Sequence, residues 1–556
     1  MTASRSNRAA IAAGLAAVCL LIGGPAGWTP VQAQTPSEAE SGRSSPVGEP
    51  LRLGPPDPDG SADGTPDDGQ PPGPASGADS GGAPRADAAD TSDAADGIEV
   101  DQLGEMSLET LGVLDADSGA LGADMWAGTP RRRVEALLPR LPGELNAPVL
   151  RDLARRLLLS PAVAPERQHA EGGSQDLLAL RVDRLAAIGA TDGLLRLIDA
   201  LPRSTSSPGV LRHRVQALLL RHEQAAACKA VRAAVRETDS AFWQRALALC
   251  QFSDGAVAQA DLTVRLLREQ ADADHAGFLA LYDAATSGQE RLPDSLPKSL
   301  GPLHLGLIMA GDLPLPENRL DQLSAGALAA VATADTGPLP VRTRAAERAA
   351  ALDALPVALL GELYGAFTFA NDDLINAAIQ TAERARNKLP PVRRRALLYQ
   401  ALGQEPAAAV RAELLSQLLS DRRPGAFIAT SRLLADELAA LKAQPDFAWF
   451  AATAGRALYA AGRPNAAGRW LRMAQQEAII NPKAAAAVTA LWPYAMLAGA
   501  EEVPANGGLA AWRRAQDDTA QIQAAGRESL LRALLGALGR APERSWVEIA
   551  LDTPAA

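Results

Sequence analysis

From Pro130 onward, apolar residues recur at spacings of three and four, and glycine, proline or a short polar cluster breaks the recurrence about every twelve to eighteen residues. Side chains at that spacing fall on one face of an α-helix, so each run predicts a short helix with one apolar stripe and each break a turn. The predicted helices cover residues 149–159, 177–188, 194–201, 211–220, 225–235, 242–252 and 257–267, and then 345–352, 359–367, 374–385, 397–402, 410–419, 426–441 and 530–538. No stretch alternates apolar and polar residues for long enough to predict a strand, so the expected class is all-α. Short helices of this kind bury their stripes against their neighbours in sequence. The expected architecture is an irregular α-α superhelix, or solenoid, of helical hairpins.

The clearest hairpin lies between Trp449 and Pro482. Its first helix is expected over about 447–461 and its second over about 465–478, with Gly462, Arg463 and Pro464 between them, since proline suits a helix start. Gly455, Gly462, Ala467 and Ala474 occupy the small-residue positions of a tetratricopeptide repeat, and Leu471 fills its large apolar slot. The chain departs from that pattern at Ala451, where the repeat has tryptophan, at Leu458, where it has tyrosine, and at Pro482, which arrives three residues late. Ala396, Tyr399, Gly403 and Ala408 form a second set, and Ala248, Gly255 and Ala260 a weaker third. Gly403 and Gly462 stand 59 residues apart (462 − 403), which is not a multiple of 34. The chain thus resembles a degenerate tetratricopeptide-like protein over three units. That resemblance implies stacked hairpins whose first helices line a concave groove.

Residues 1–33 read as a secretory signal peptide, with Arg5 and Arg8, an apolar run from Ala9 to Gly23, then Pro25 and a small-residue ending at Ala33. The run is shorter than the roughly twenty residues that span a membrane, so no transmembrane anchor is expected after its removal, and Cys19 leaves with it. Residues 34–97 are rich in Pro, Gly, Ser and Asp, with almost no large apolar side chain to offset the entropy of ordering, and are expected to be a disordered linker. This stretch carries thirteen acids and three arginines, which accounts for most of the chain's net charge of −11. The remaining body is nearly neutral and offers no electrostatic case for nucleic acid. Residues 98–128 lack a helical stripe and are expected as an irregular cap on the first helices. A first helical section is placed at 129–300, a proline-rich bend at 301–340 and a second helical section at 341–550. Residues 484–500 are uncharged, but the stretch is short, alanine-rich and holds Pro493, so it is expected as buried helix.

Candidate chemistry is sparse. Ser80, in an Asp-Ser-Gly-Gly run of the linker, has nothing to orient a histidine or aspartate toward it. The aspartate-rich run from Asp57 to Gly69 reads as a solvated spacer, with calcium binding as the alternative. Asp115, Asp117 and Asp124 lack a calcium loop's glycine and closing glutamate, because Ala120 and Trp126 stand there. The five histidines are scattered, none with a second histidine on the same helix face, and neither a metal nor a cofactor is expected. The basic runs 131–133 and 393–395 are expected as solvated faces, with a binding role as the alternative. Glu528-Ser529 resembles the catalytic glutamate of exported peptidoglycan-cleaving enzymes, yet a plain amphipathic helix follows it. No catalytic constellation emerges.

Two sets of residues stand out. Cys228 and Cys250 are the only cysteines left after signal removal, on consecutive helices joined near Thr238 and Asp239 at matching distances from the turn, and they are expected to form a disulfide; the alternative is two buried free thiols. Trp449, Arg456 and Tyr459 share one stripe of their helix, which the repeat resemblance would place on the concave binding face; the alternative is that Trp449 and Tyr459 fill the core. The expected function is an exported, periplasmic or secreted, non-catalytic scaffold that binds a protein, a peptide or a cell-wall component. A cell-wall hydrolase or its accessory, and a purely structural envelope protein, are the rival classes.

Overall fold

The computed structural model describes residues 108–540 apart from 144, 146, 167–175, 203–206, 239, 271–274, 380–388, 422, 501–504 and 517–520. The expected signal peptide, the linker with Ser80 and the run 57–69, residues 98–107 and the tail after 540 lie outside the described residues.

Among the described residues all regular elements are helical. The chain begins with α1 (Arg131–Leu137), α2 (Pro148–Leu159), α3 (Leu177–Ala187), α4 (Thr191–Asp199), α5 (Pro208–Leu220), α6 (Gln224–Ala234), α7 (Ala241–Ser253), α8 (Val257–Glu269) and α9 (Ala276–Ser287). It continues through α10 (Pro302–Ala310), α11 (Ala325–Thr333), α12 (Leu339–Ala351), α13 (Val357–Gly365), α14 (Asn371–Ile375), α15 (Pro391–Gln404) and α16 (Ala408–Leu418). The last group is α17 (Pro424–Leu433), α18 (Ala435–Ala440), α19 (Ala448–Ala460), α20 (Pro464–Glu477), α21 (Pro482–Ala498), α22 (Ala505–Arg514) and α23 (Gln521–Ala537). Starts follow local chemistry. Asp176 accepts from Leu178 N at α3, Ser207 from Val210 N at α5 and Ser324 from Ala327 N at α11, and proline opens many of the others.

Consecutive helices pack on one another, which gives the body a solenoid-like character. Its period shows in the turns. Gly189, His222, Gly255 and Gly288 all have positive φ, at 66°, 62°, 76° and 65°, and their numbers step by a constant 33 residues (222 − 189, 255 − 222, 288 − 255). After each, the next backbone N–H donates to the carbonyl five positions back: Ala190 to Leu185, Glu223 to Leu218, Ala256 to Gln251 and Gln289 to Ala284, at 2.8–3.1 Å. This is the left-handed helix end in which the bond spans six residues. The helices that follow the first three turns start at Thr191, Gln224 and Val257, in the same step. An interval of this length fits a helical-hairpin repeat.

Two hydrophobic cores result. The first runs from Leu114 to Phe367 and takes in Val392, Ala396 and Ala429; the second runs from Ala377 to Leu535. They meet at α15, where Ala396 belongs to the first and Leu397 and Leu398 to the second. The stretch 301–340, expected as a bend, instead holds α10, α11 and the start of α12, whose Leu303, Leu307, Leu328 and Val331 lie inside the first core. Its prolines start helices at Pro302 and around Pro338. The helix expected over 426–441 breaks at Leu434, and Leu434 and Leu438 both lie in the second core. Of the helix expected over 374–385, the described part is helical from Asn371 to Ile375 and again over 377–379, and 380–385 lie outside the described residues.

Residues 108–128 form a 3₁₀ turn and irregular loops pinned to the first helices. Val113 N donates to Leu159 O at 2.9 Å, and Leu121 N to Ser160 Oγ at 2.8 Å. Glu109, buried, takes a two-pronged bond from Arg131 at 2.6 and 2.7 Å. The basic runs are therefore not simply solvated. Arg131 is buried, Arg395 donates twice to Glu347, and Arg393 lies 4.9 Å over the ring of Phe369. Among the described residues no helix is long and apolar enough to cross a membrane.

Candidate functional site

A cavity of about 660 Å³ opens where α2, the α3–α4 turn, the α5–α6 turn, α11 and the α12–α13 turn converge. Each wall has a local cause. The α3–α4 turn reaches α11 because both sides are glycine at the contact: a side-chain carbon on Gly189 would lie 2.5 Å from Gly326 N. At the equivalent turn one repeat later, His222 adopts the left-handed backbone that glycine would take more easily, and its Nε2 sits 2.9 Å from Ala330 O and 3.1 Å from Thr333 Oγ1 of α11. Those contacts offset the backbone strain and lock the turn onto α11. Asp353, at the α12–α13 turn, is a third left-handed residue, and it bonds Arg432 at 2.7 Å.

The charged walls are mostly paired. Arg155 bonds Asp152 at 2.6 Å, Arg221 pairs with Asp192 and with Glu223, and Asp353 takes Arg432. Arg151 differs. It is only 6% exposed, borders the cavity beside Gly189, and its guanidinium makes no hydrogen bond or ion pair with any described residue. Burial pulls its guanidinium down to about 10, and the charge of nearby Asp353 opposes that only in part. Arg181 of α3, also buried and also pulled down to about 10 by burial, donates to the carbonyls of Leu158, Glu109, Leu111 and Ser160. Nothing in the amino-acid sequence separates these two arginines.

The residues singled out by sequence are dispersed. Cys228 on α6 and Cys250 on α7 are joined, S–S 2.01 Å and Cα–Cα 5.5 Å, tying adjacent repeats together away from the cavity. Trp449, Arg456 and Tyr459 do not form one exposed stripe. Trp449 is 38% exposed at the start of α19, Arg456 lies 5.3 Å over the ring of Phe427, and Tyr459 is 2% exposed and stacks on Tyr494 at 5.9 Å. Gly455 faces α21 rather than open space, since a side-chain carbon there would meet Leu491 at 2.6 Å. Glu528 accepts from Arg513 and Arg532. Burial acts to raise its carboxyl, but the two arginines outweigh it and hold the group below its usual range, a poor setting for a general acid. Among the described residues no three His, Cys, Asp or Glu side chains cluster as metal ligands would.

Comparison of the chain with family models, curated proteins and solved structures finds no match.

Proposed function

We propose that the chain is an exported, non-catalytic, tetratricopeptide-like α-solenoid that binds a protein, peptide or cell-wall component in the envelope. The observation that carries this reading is the left-handed hairpin turn repeated at 189, 222, 255 and 288, because stacked hairpins of constant step make extended surfaces suited to binding. The leader-like residues 1–33 and the acidic stretch 34–97 support export and a body held at a distance from its point of release. In the test, tagged protein is fractionated from its host, and the purified body is incubated with peptidoglycan and with envelope extract. The expected result is loss of the leader and retention of a partner without release of soluble wall fragments. Fragment release would replace the scaffold by a hydrolase, and a chain kept whole in the cytoplasm would remove export.

A further inference from the structure

We propose that the cavity between α2, α4 and α11 binds the carboxylate of a small polar molecule such as an amino acid or a short peptide, with Arg151 as its anchor. The inference rests on the binding-scaffold reading and names the ligand chemistry of one site within it.

The first argument is the contrast between two buried arginines. Arg181 is satisfied by four carbonyls, as buried polar groups are expected to be. Arg151 is slightly less buried, its guanidinium borders the cavity rather than being sealed from it, and no carbonyl of a described residue accepts from it. A guanidinium in that position costs stability, so a fold that merely needed volume there would be served better by an aliphatic side chain. The group it lacks is an anionic oxygen pair, which a planar guanidinium grips in two-pronged fashion.

The second argument is the backbone next to it. Gly189 brings Arg151 Nη2 against the α3–α4 turn, where α4 begins. Ala190 precedes that nine-residue helix and has no side chain to cap it, so the amides of Thr191, Asp192 and Gly193, all cavity residues, have no partner within the helix. A helix start and a guanidinium side by side favour negative charge.

Third, the wall charge selects among anions. Four arginines (151, 155, 196 and 221) face four aspartates (152, 192, 335 and 353) in the lining. A carboxylate matches the one unpaired buried cation, whereas a phosphate dianion would leave excess charge among the aspartates. Asp335, an exposed residue of the lining, supplies a carboxylate for a ligand ammonium. A volume of about 660 Å³ lies within the range of small-molecule pockets.

The experiment measures thermal shift and calorimetric binding on the purified mature protein, with acetate, succinate, glutamate and alanyl-alanine as carboxylate probes, alanyl-alanine amide as the probe lacking a carboxylate, and inorganic phosphate as the competing anion. At least one carboxylate probe is expected to raise the melting temperature and to exceed both the amide and phosphate. Arg151→Met should weaken that binding by about tenfold or more while its unliganded melting temperature stays level or rises; Arg151→Lys, which keeps the charge but loses the fork, should fall between. The proposal is overturned if no carboxylate probe binds, if the amide or phosphate binds as well as the acid, or if Arg151→Met leaves binding intact. A large fall in unliganded melting temperature in both variants would make Arg151 a structural residue and overturn it equally. Absence of small-carboxylate binding by the wild-type protein with envelope-partner retention intact sinks this inference alone, whereas absence of both sinks the scaffold reading too.

Discussion

The first core carries buried arginines at 131, 151 and 181, a disulfide and a cavity of about 660 Å³ along its edge, whereas the second is filled almost wholly by alanine, leucine and large aromatic side chains. In the second, Ala451, Ala454 and Ala457 are fully buried on α19, and Gly455 lets Leu491 of α21 approach its backbone. Phe450 meets Trp470 edge-on at 5.7 Å, and Tyr459 stacks on Tyr494. Small residues let helices close up, and aromatics fill what remains. The first core instead tolerates polar groups and connects its repeats by a covalent bond. The contrast teaches that one helical-hairpin plan can be stabilised by dry packing in one region and by polar ties in another, and that the cavity lies in the region with the polar ties.

The largest expected effect tests the dry core. Trp470→Ala removes a 1% exposed side chain and should cost about 3–5 kcal/mol; limited proteolysis should then cut the second region before the first, and simultaneous cleavage would show that the two cores melt as one. Next comes the covalent tie. Joint replacement of Cys228 and Cys250 by alanine opens a link across 22 residues and should cost about 2–4 kcal/mol. Labelling of the denatured, non-reduced wild-type chain should find no free thiol, and two thiols per mature chain would contradict the bond.

Arg181→Met should destabilise by about 1–3 kcal/mol, because four buried carbonyls lose their donor. Set beside Arg151→Met, it sharpens the comparison within the first core: equal losses in the two variants would erase the distinction between a tied and an untied arginine. A smaller effect follows acidification. Burial, reinforced by Arg212, pulls His213 below the usual histidine value, and burial, with Arg245, does the same to His304. Both are neutral above about pH 6.5, so stability is full there and falls as the pH drops below it, where the unfolded chain takes up protons first. His213→Phe should flatten the decline of melting temperature between about pH 7 and 5, and an unchanged slope would remove His213 from the account. Last, Arg463→Ala breaks an exposed pair with Asp436, 2.9 Å apart, and should change stability by no more than about 1 kcal/mol.

The sequence by itself determined the helical class and most of the helices, because a stripe recurring at three and four needs only nearest-neighbour burial to act. It marked Gly255 and Gly462 as turns, since glycine at a left-handed helix end is a local requirement. The 33-residue step stayed hidden. Its second turn uses His222, and what makes a histidine acceptable there is a pair of contacts to Ala330 and Thr333, more than a hundred residues away. The cavity was equally illegible, for Arg151 and Arg181 look alike along the chain and differ only in which carbonyls the folded backbone brings to them. Proline content marked 301–340 as punctuated, but only the folded chain shows that Pro302 and Pro338 stand at helix starts. Tertiary structure alone decided that Tyr459 stacks on Tyr494 while Trp449, ten residues earlier on the same stripe, stays at the surface. The physical reason is that periodicity assigns a residue to a face, but only the neighbouring helix decides how much of that face is covered.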